Sequence, residues 1–435
     1  MGTAPSSRFA GLEAFLAAQG QERLDWRYKG FGALATPSID QVRAEGLPLS
    51  ALGTPMMTID IGAVADNLLS MAAWCSERGV TLAPHGKTTM APVLWLGQLM
   101  AGCTAITVAN GSQLRAARAF GVTALQLANE LLDPADVAWV AAELAADPVF
   151  TFLSWVDSVA AVERMSAAVT TDGPPIPVCV EVGAAAGRTG ARTAAAALEV
   201  AAAVRAAPRL ALAGVAGYEG AVPGAAADGA GLQAVDDFLG LMLAVHQQLD
   251  GGYETERITL TAGGSAYFDR VAAVLGPFVR TDGTPVDVVL RSGAYVVHDD
   301  LHYSRITPST RSAGPTLRSA IHVWASVLSR PEHDLVIIDA GRRDLPFDID
   351  LPVVLAARRN GADPQLIPVN AHLTALNDQH AFVRIDSDSP LQVGDVLKLG
   401  LSHPCTAFDK WRAIPMVDSA DAVDPRVTDV ALTYF

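Results

Sequence analysis

Between about residues 80 and 291, short apolar runs alternate with longer stretches whose apolar residues recur at helical spacing. The apolar runs fall at 80–84, 105–109, 124–128, 150–155, 177–182, 212–218, 257–262 and 287–291. The segments between them, at 91–100, 113–120, 134–144, 158–167, 191–205 and 235–249, carry the period of helices packed by one face. Strands alternating with helices read as βαβ units and a parallel sheet. Eight such units fit a closed (β/α)8 barrel of the TIM type. A doubly wound open sheet satisfies the same periodicity.

Outside that region the pattern changes. Residues 55–61 (PMMTIDI) predict a strand, followed by a helix over 63–76, and a helix is expected at 12–18. After residue 300, segments 319–328, 334–339, 381–385, 396–399 and 427–433 read as strands with turns and almost no helix. The fold expected is α/β, a barrel plus a β-rich C-terminal domain. Residues 1–61 form an N-terminal segment partly joining the β domain, 62–300 the barrel and 301–435 the β-rich domain. The small-residue stretch 221–231 (AVPGAAADGAG) reads as a loop.

Composition narrows the function. Half of the 435 residues are hydrophobic and 18% are charged, which is ample for a core. A net charge of −15 argues against nonspecific nucleic-acid binding. No charge-free apolar stretch reaches the length of about 18 residues that a membrane span needs. The four cysteines show no paired spacing, and the first twenty residues lack a basic region followed by an apolar one. Both features lead to the expectation of a cytoplasmic protein without a disulfide framework.

Candidate chemistry starts from the lysines, of which there are only four: Lys29, Lys87, Lys398 and Lys410. Lys87 alone sits just past a predicted barrel strand, at the end where such barrels carry their chemistry. A lysine there that loses its charge on burial suits a Schiff base with an aldehyde cofactor. The last two predicted strands end in Thr261-Ala-Gly-Gly-Ser265 and Arg291-Ser-Gly-Ala-Tyr295. Glycine-rich turns at those strands form the usual phosphate site of these barrels. An aldehyde that bears a phosphate and bonds a lysine is pyridoxal phosphate.

Residues 82–92 (LAPHGKTTMAP), 106–110 (ITVAN) and 126–129 (QLAN) resemble the fold-type III pyridoxal-phosphate enzymes. Within them the chain is similar to the D-serine dehydratase and D-threonine aldolase family, its amino acid deaminase branch. The resemblance runs from about residue 55 to the C-terminus and implies an alanine-racemase-like fold. It makes Lys87 the cofactor-bound lysine. Arg188, in 180–190 (VEVGAAAGRTG), would approach the phenolic oxygen of the cofactor. Gly263, Gly264, Ser265, Gly293, Ala294 and Tyr295 would lie at the phosphate cradle, Tyr218 near the pyridine ring, and His85 against the cofactor or Lys87. Thr89 stands where relatives usually carry histidine, and Gly183 where they often carry aspartate.

His403 and Cys405, in 401–406 (LSHPCT), face the same way if the segment is extended, and Pro404 would keep it so. Imidazole and thiolate together suit zinc. By the resemblance they are ligands of a catalytic Zn2+, since the dehydratase branch carries His-x-Cys here and the aldolase branch more often His-x-Asp. His380 matches another family histidine near the active site. The resemblance thus implies dehydration and deamination of a small β-hydroxy-D-amino acid, of the D-serine or D-threonine type, by a homodimer. The alternatives are D-threonine-aldolase-type cleavage to glycine and an aldehyde, a racemase with Tyr303 as its second acid, and a non-catalytic cofactor carrier.

Overall fold

The computed structural model describes residues 8–32, 34–249, 251–276, 286–312, 314–359 and 364–435. Residues 1–7 of the expected N-terminal segment lie outside them.

Eight parallel strands form one sheet, in sequence order from Thr81–Leu82 through Ile106–Val108, Ala124–Glu130, Thr151–Val156, Ile176–Val182, Leu210–Gly217 and Ile258–Ala262 to Val286–Leu290. The last strand pairs with the first, and a parallel bridge between His85 and Thr107 joins the first to the second. The ring therefore closes, and the open-sheet alternative falls away. Its interior holds Leu153, Trp155, Cys179, Ala213 and Ala216, all buried.

Local chemistry starts the helices where the periodicity places them. Asn110, Asp133, Ser158, Thr193 and Asp228 each accept a backbone N–H in the first turn of the helix that follows a barrel strand. Such caps satisfy donors that a helix start leaves without an intrahelical partner. They sit on the C-terminal face of the barrel, so each strand end there leads into an ordered loop.

The second sheet is largely antiparallel. Ile321–Glu332, Leu335–Ile338, Ala381–Ile385, Ala371–Leu376, Val353–Arg359 and Val396–Gly400 pair in that cyclic order and form a second ring. Met56–Asp60 extends it, pairing antiparallel with Ile321–Glu332 and parallel with Ala413–Val417, which pairs with Arg426–Leu432. Val353–Arg359, Gln365–Ile367, Ala371–Leu376 and Ala413–Val417 are strands that the apolar pattern did not single out. The alternation in the first and third is interrupted by exposed leucine, alanine and threonine, so it is the pairing that makes them strands.

The two units meet at Asp299, which is 1% exposed. One carboxylate oxygen accepts the amides of Leu301 (3.1 Å) and Tyr303 (2.8 Å) at the start of a short helix. The other accepts the amide of His403 at 3.0 Å. A single buried side chain thus fastens the chain after the eighth barrel strand to the turn carrying His403 and Cys405.

Candidate active site

At the C-terminal face of the barrel lies a cavity of about 440 Å3, within the range of about 300–1,000 Å3 usual for small-ligand sites. His85, Lys87, Thr88, Arg188, Tyr218, Gly264, Ser265, Gly293, Ala294, Tyr303, His403 and Cys405 line it, among others. Residues separated by more than 300 positions therefore share one wall, and Thr88 Oγ1 lies 3.4 Å from Cys405 Sγ.

Burial, and then the positive charges of Arg188 and Arg291, lower the pKa of Lys87 from the usual lysine value, while Cys405 opposes them. A lowered pKa favours the neutral amine, the form that can act as nucleophile or base. Burial, then the charges of Lys87, Arg291 and Arg188, hold His85 well below the ordinary imidazole range, so it stays neutral. Its Nδ1 is buried without a hydrogen-bond partner among the described residues. The Arg188 guanidinium lies 5.0 Å from the Tyr218 ring centroid.

Arg291 is buried and both its ends are engaged, with Thr261 Oγ1 and the Gly217 carbonyl at 2.6 Å each. It ties the ends of the sixth and seventh strands to the eighth. Glu219, fully buried, accepts the amides of Gly263 (2.9 Å) and Gly264 (2.6 Å). A side chain at Gly293 would place its Cβ 2.4 Å from the His85 carbonyl oxygen, so only glycine lets this turn approach the lysine segment.

The residues present fit pyridoxal phosphate. A desolvated lysine, an imidazole whose Nδ1 has no partner among the described residues, an arginine beside a tyrosine ring and a glycine-lined turn face one cavity. A metal pair fits as well. His403 takes a left-handed conformation (φ 57°) and Pro404–Thr406 forms one 3-10 turn. Pro404 therefore does not keep the segment extended; the turn itself brings imidazole and thiol together. The adjacent Cys405 sulfur, and Asp348 next, raise His403 to about 9 against the effect of burial.

Four residues expected at the site do not line this cavity. Gly263 has its amide on Glu219. The Tyr295 hydroxyl points to Cys103 Sγ, 3.8 Å away, in a separate small cavity. Thr89 is buried, with its hydroxyl turned back to the Ala91 amide. His380 is exposed, in the turn between Ala371–Leu376 and Ala381–Ile385. Sequence reading passed over Arg291, Glu219 and Asp348. Each acts through partners far away in the chain, and only the position of Arg291 at a strand end could have pointed to it.

A larger cavity, about 470 Å3, is lined by Asp60, Asp300, Arg318, His322, Lys398 and Asp421. Its charges are answered within the protein: Lys398 pairs with Asp421 and Arg318 with Asp66. It lacks the lysine and glycine turns of the first.

Beside the active-site cavity, Glu130, Asp157 and Glu181 bring carboxylate oxygens within 4.8 Å of one another. Burial, followed by the hydrogen bond and charge of Glu181, pushes Glu130 up to about 8 from 4.5. Between those values the folded chain holds a proton that the unfolded chain releases, so stability falls as pH rises through that window. Glu130→Gln, which mimics the protonated form, should match wild type near pH 4. Near pH 9 it should exceed wild type by about 1–2 kcal/mol after allowance for solvent screening. Chemical denaturation at both pH values checks this; equal stabilities near pH 9 would refute it.

Comparison with known proteins agrees with this architecture. Residues 59–266 match the family described as alanine racemase, N-terminal domain, and residues 320–417 the putative serine dehydratase domain. The chain is 28% identical over 367 residues to a D-threonine aldolase of an Arthrobacter species, covering 84% of this chain and 89% of that protein. A crystal structure of D-threonine aldolase from Filomicrobium marinum superposes with a TM-score of 0.73 at 23% identity, covering 89% of this chain and 97% of the other. A cysteine-to-alanine mutant of D-threo-3-hydroxyaspartate dehydratase, in the metal-free form, gives 0.67 at 20% identity, covering 88% and 98%. No helix among the described residues is long and apolar enough to cross a membrane.

Proposed function

We infer that this chain is a fold-type III pyridoxal-phosphate lyase of the D-serine dehydratase and D-threonine aldolase group; the alanine racemase N-terminal and putative serine dehydratase domain matches and the likeness to a D-threonine aldolase support this. From that premise we propose that it dehydrates and deaminates a substrate of the D-serine or D-threonine type, giving a 2-oxo acid and ammonia. The observation that carries this reading is one cavity shared by a desolvated Lys87 and the His403–Cys405 pair.

Pyridoxal phosphate supplies an electron sink for negative charge at the substrate α-carbon. A zinc ion held by His403 and Cys405 supplies a Lewis acid for the β-hydroxyl. Lys87 would hold the cofactor by its aldehyde, and its Nζ would take the substrate α-proton. Working from one face only, it would act on one enantiomer. Arg188 would receive the phenolic oxygen, Tyr218 and the neutral His85 would pack beside the ring, and Ser265, Gly293 and Ala294 would receive the phosphate, since the Gly264 amide, like that of Gly263, is held by Glu219. Tyr303 and Thr88 exclude water from the reacting centre. The substrate side chain is assigned as uncharged because the cavity's cations are otherwise engaged: Lys87 and Arg188 with the cofactor, Arg291 with Thr261 and Gly217.

A second reading, retro-aldol cleavage, uses the same lysine and metal, with proton loss from the β-hydroxyl. The 28% identity to a protein named D-threonine aldolase favours it. A racemase would leave the histidine–cysteine pair without a task, and a bare cofactor carrier would not need the second domain. The active species is assigned as a homodimer, supported by the exposed Phe347 and Ile349 on either side of Asp348. Incubation with D-threonine, pyridoxal phosphate and zinc, followed by NMR of the products, separates the two main readings. 2-Oxobutanoate with ammonia is expected; glycine with acetaldehyde would replace dehydration by the aldolase reaction.

A further inference from the structure

We propose that Asp348 is a positioning residue for the metal pair: its carboxylate holds the His403 ring by Nδ1, leaving the other ring nitrogen to face the ion beside Cys405. The inference rests on the metal reading above. Asp348 Oδ2 lies 2.5 Å from His403 Nδ1, and Asp348 Oδ1 accepts the Thr406 hydroxyl at 2.7 Å. One carboxylate therefore grips both ends of the turn that contains Cys405.

The loop that carries Asp348 is fastened on both sides. Asp344, 1% exposed, accepts the Gly341 amide at 3.1 Å, Lys29 Nζ at 2.7 Å and Gln379 Nε2 at 3.1 Å. Asp350 accepts the Ser402 hydroxyl at 2.9 Å and Arg305 at 2.6 Å. The His403 backbone is held independently by Asp299. With main chain and Nδ1 both fixed, the ring has one orientation, and the nitrogen free to ligate is Nε2. A carboxylate behind a ligating imidazole fixes its tautomer and strengthens it as a donor, and loss of such a partner costs about 10–100-fold in metal affinity.

The test is zinc affinity of the metal-stripped, cofactor-loaded protein, measured by competition with a chromogenic chelator. Asp348→Ala should weaken zinc binding by about 10–100-fold. Asp348→Asn, whose amide oxygen still accepts from Nδ1–H, should recover most of that loss. Wild-type zinc affinity in Asp348→Ala, with His403→Ala clearly weakened, would overturn the positioning role alone. Equal affinity in wild type and His403→Ala would overturn the metal reading and the inference with it. Metal-free protein offers a second readout, a downfield proton resonance of His403 Nδ1 identified by its loss in His403→Gln. Its disappearance in Asp348→Ala supports the proposal, and its persistence overturns it.

Discussion

Lys87→Ala should lose turnover by about four orders of magnitude, together with the visible absorbance of lysine-bound pyridoxal phosphate. General acid–base work alone contributes about 10²–10⁴-fold, and this lysine is asked both to hold the cofactor and to move the α-proton. No other lysine can take its place. Among the four, Lys29 pairs with Asp344 and Lys398 with Asp421, and neither these two nor Lys410 lines the cavity. Lys87→Arg keeps the charge but not the chemistry, because guanidinium is not deprotonated in proteins. It should be as inactive as the alanine variant. Absorbance spectra and single-turnover assays check both variants. A Lys87→Ala protein retaining the visible band and turnover would remove this residue from its role.

The second large effect is expected at the metal pair. Thorough chelation should lower turnover by at least about 100-fold, the scale of several kcal/mol that Lewis-acid stabilisation supplies, and added zinc should restore it. His403→Ala and Cys405→Ala should each show the same loss without restoration by zinc. Cofactor binding is the control. Lys87 and the glycine turns lie on the barrel, whereas His403 and Cys405 follow Val396–Gly400 of the second sheet. The absorbance of bound pyridoxal phosphate should therefore persist in both metal-pair variants. Chelated protein with full turnover would show that the β-hydroxyl leaves without a metal. Loss of the cofactor band along with activity would instead make the pair a structural support of the cavity.

The sequence alone determined the barrel and the place of Lys87 at the end of its first strand. Most of its eight strands carry short apolar runs, because parallel strands are covered on both faces. Helix caps of a few local residues then start most of the helices between them. Lys87 was legible because a strand end is a local feature and lysine is scarce in this chain. Glycine turns after the last two strands were legible for the same reason, although which amides remain available was not. Glu219 binds those of Gly263 and Gly264 from the end of a neighbouring strand.

What only the tertiary structure decided is the His403–Cys405 turn that completes the cavity beside Lys87. His-x-Cys spacing suggested an extended pair, but the fold holds His403 left-handed, in a conformation that a non-glycine residue adopts at some cost. Asp299 supports that conformation from 104 residues away in the chain. Asp348 grips the imidazole from a loop with no local signal of its own. Of two residues adjacent to the right elements in sequence, Tyr295 ends up buried at a separate cavity and His380 exposed in a turn. Strand periodicity says which face of a segment is covered, and cap residues say where a helix starts. Neither states which distant segment supplies the cover, and that pairing is what assembles this site.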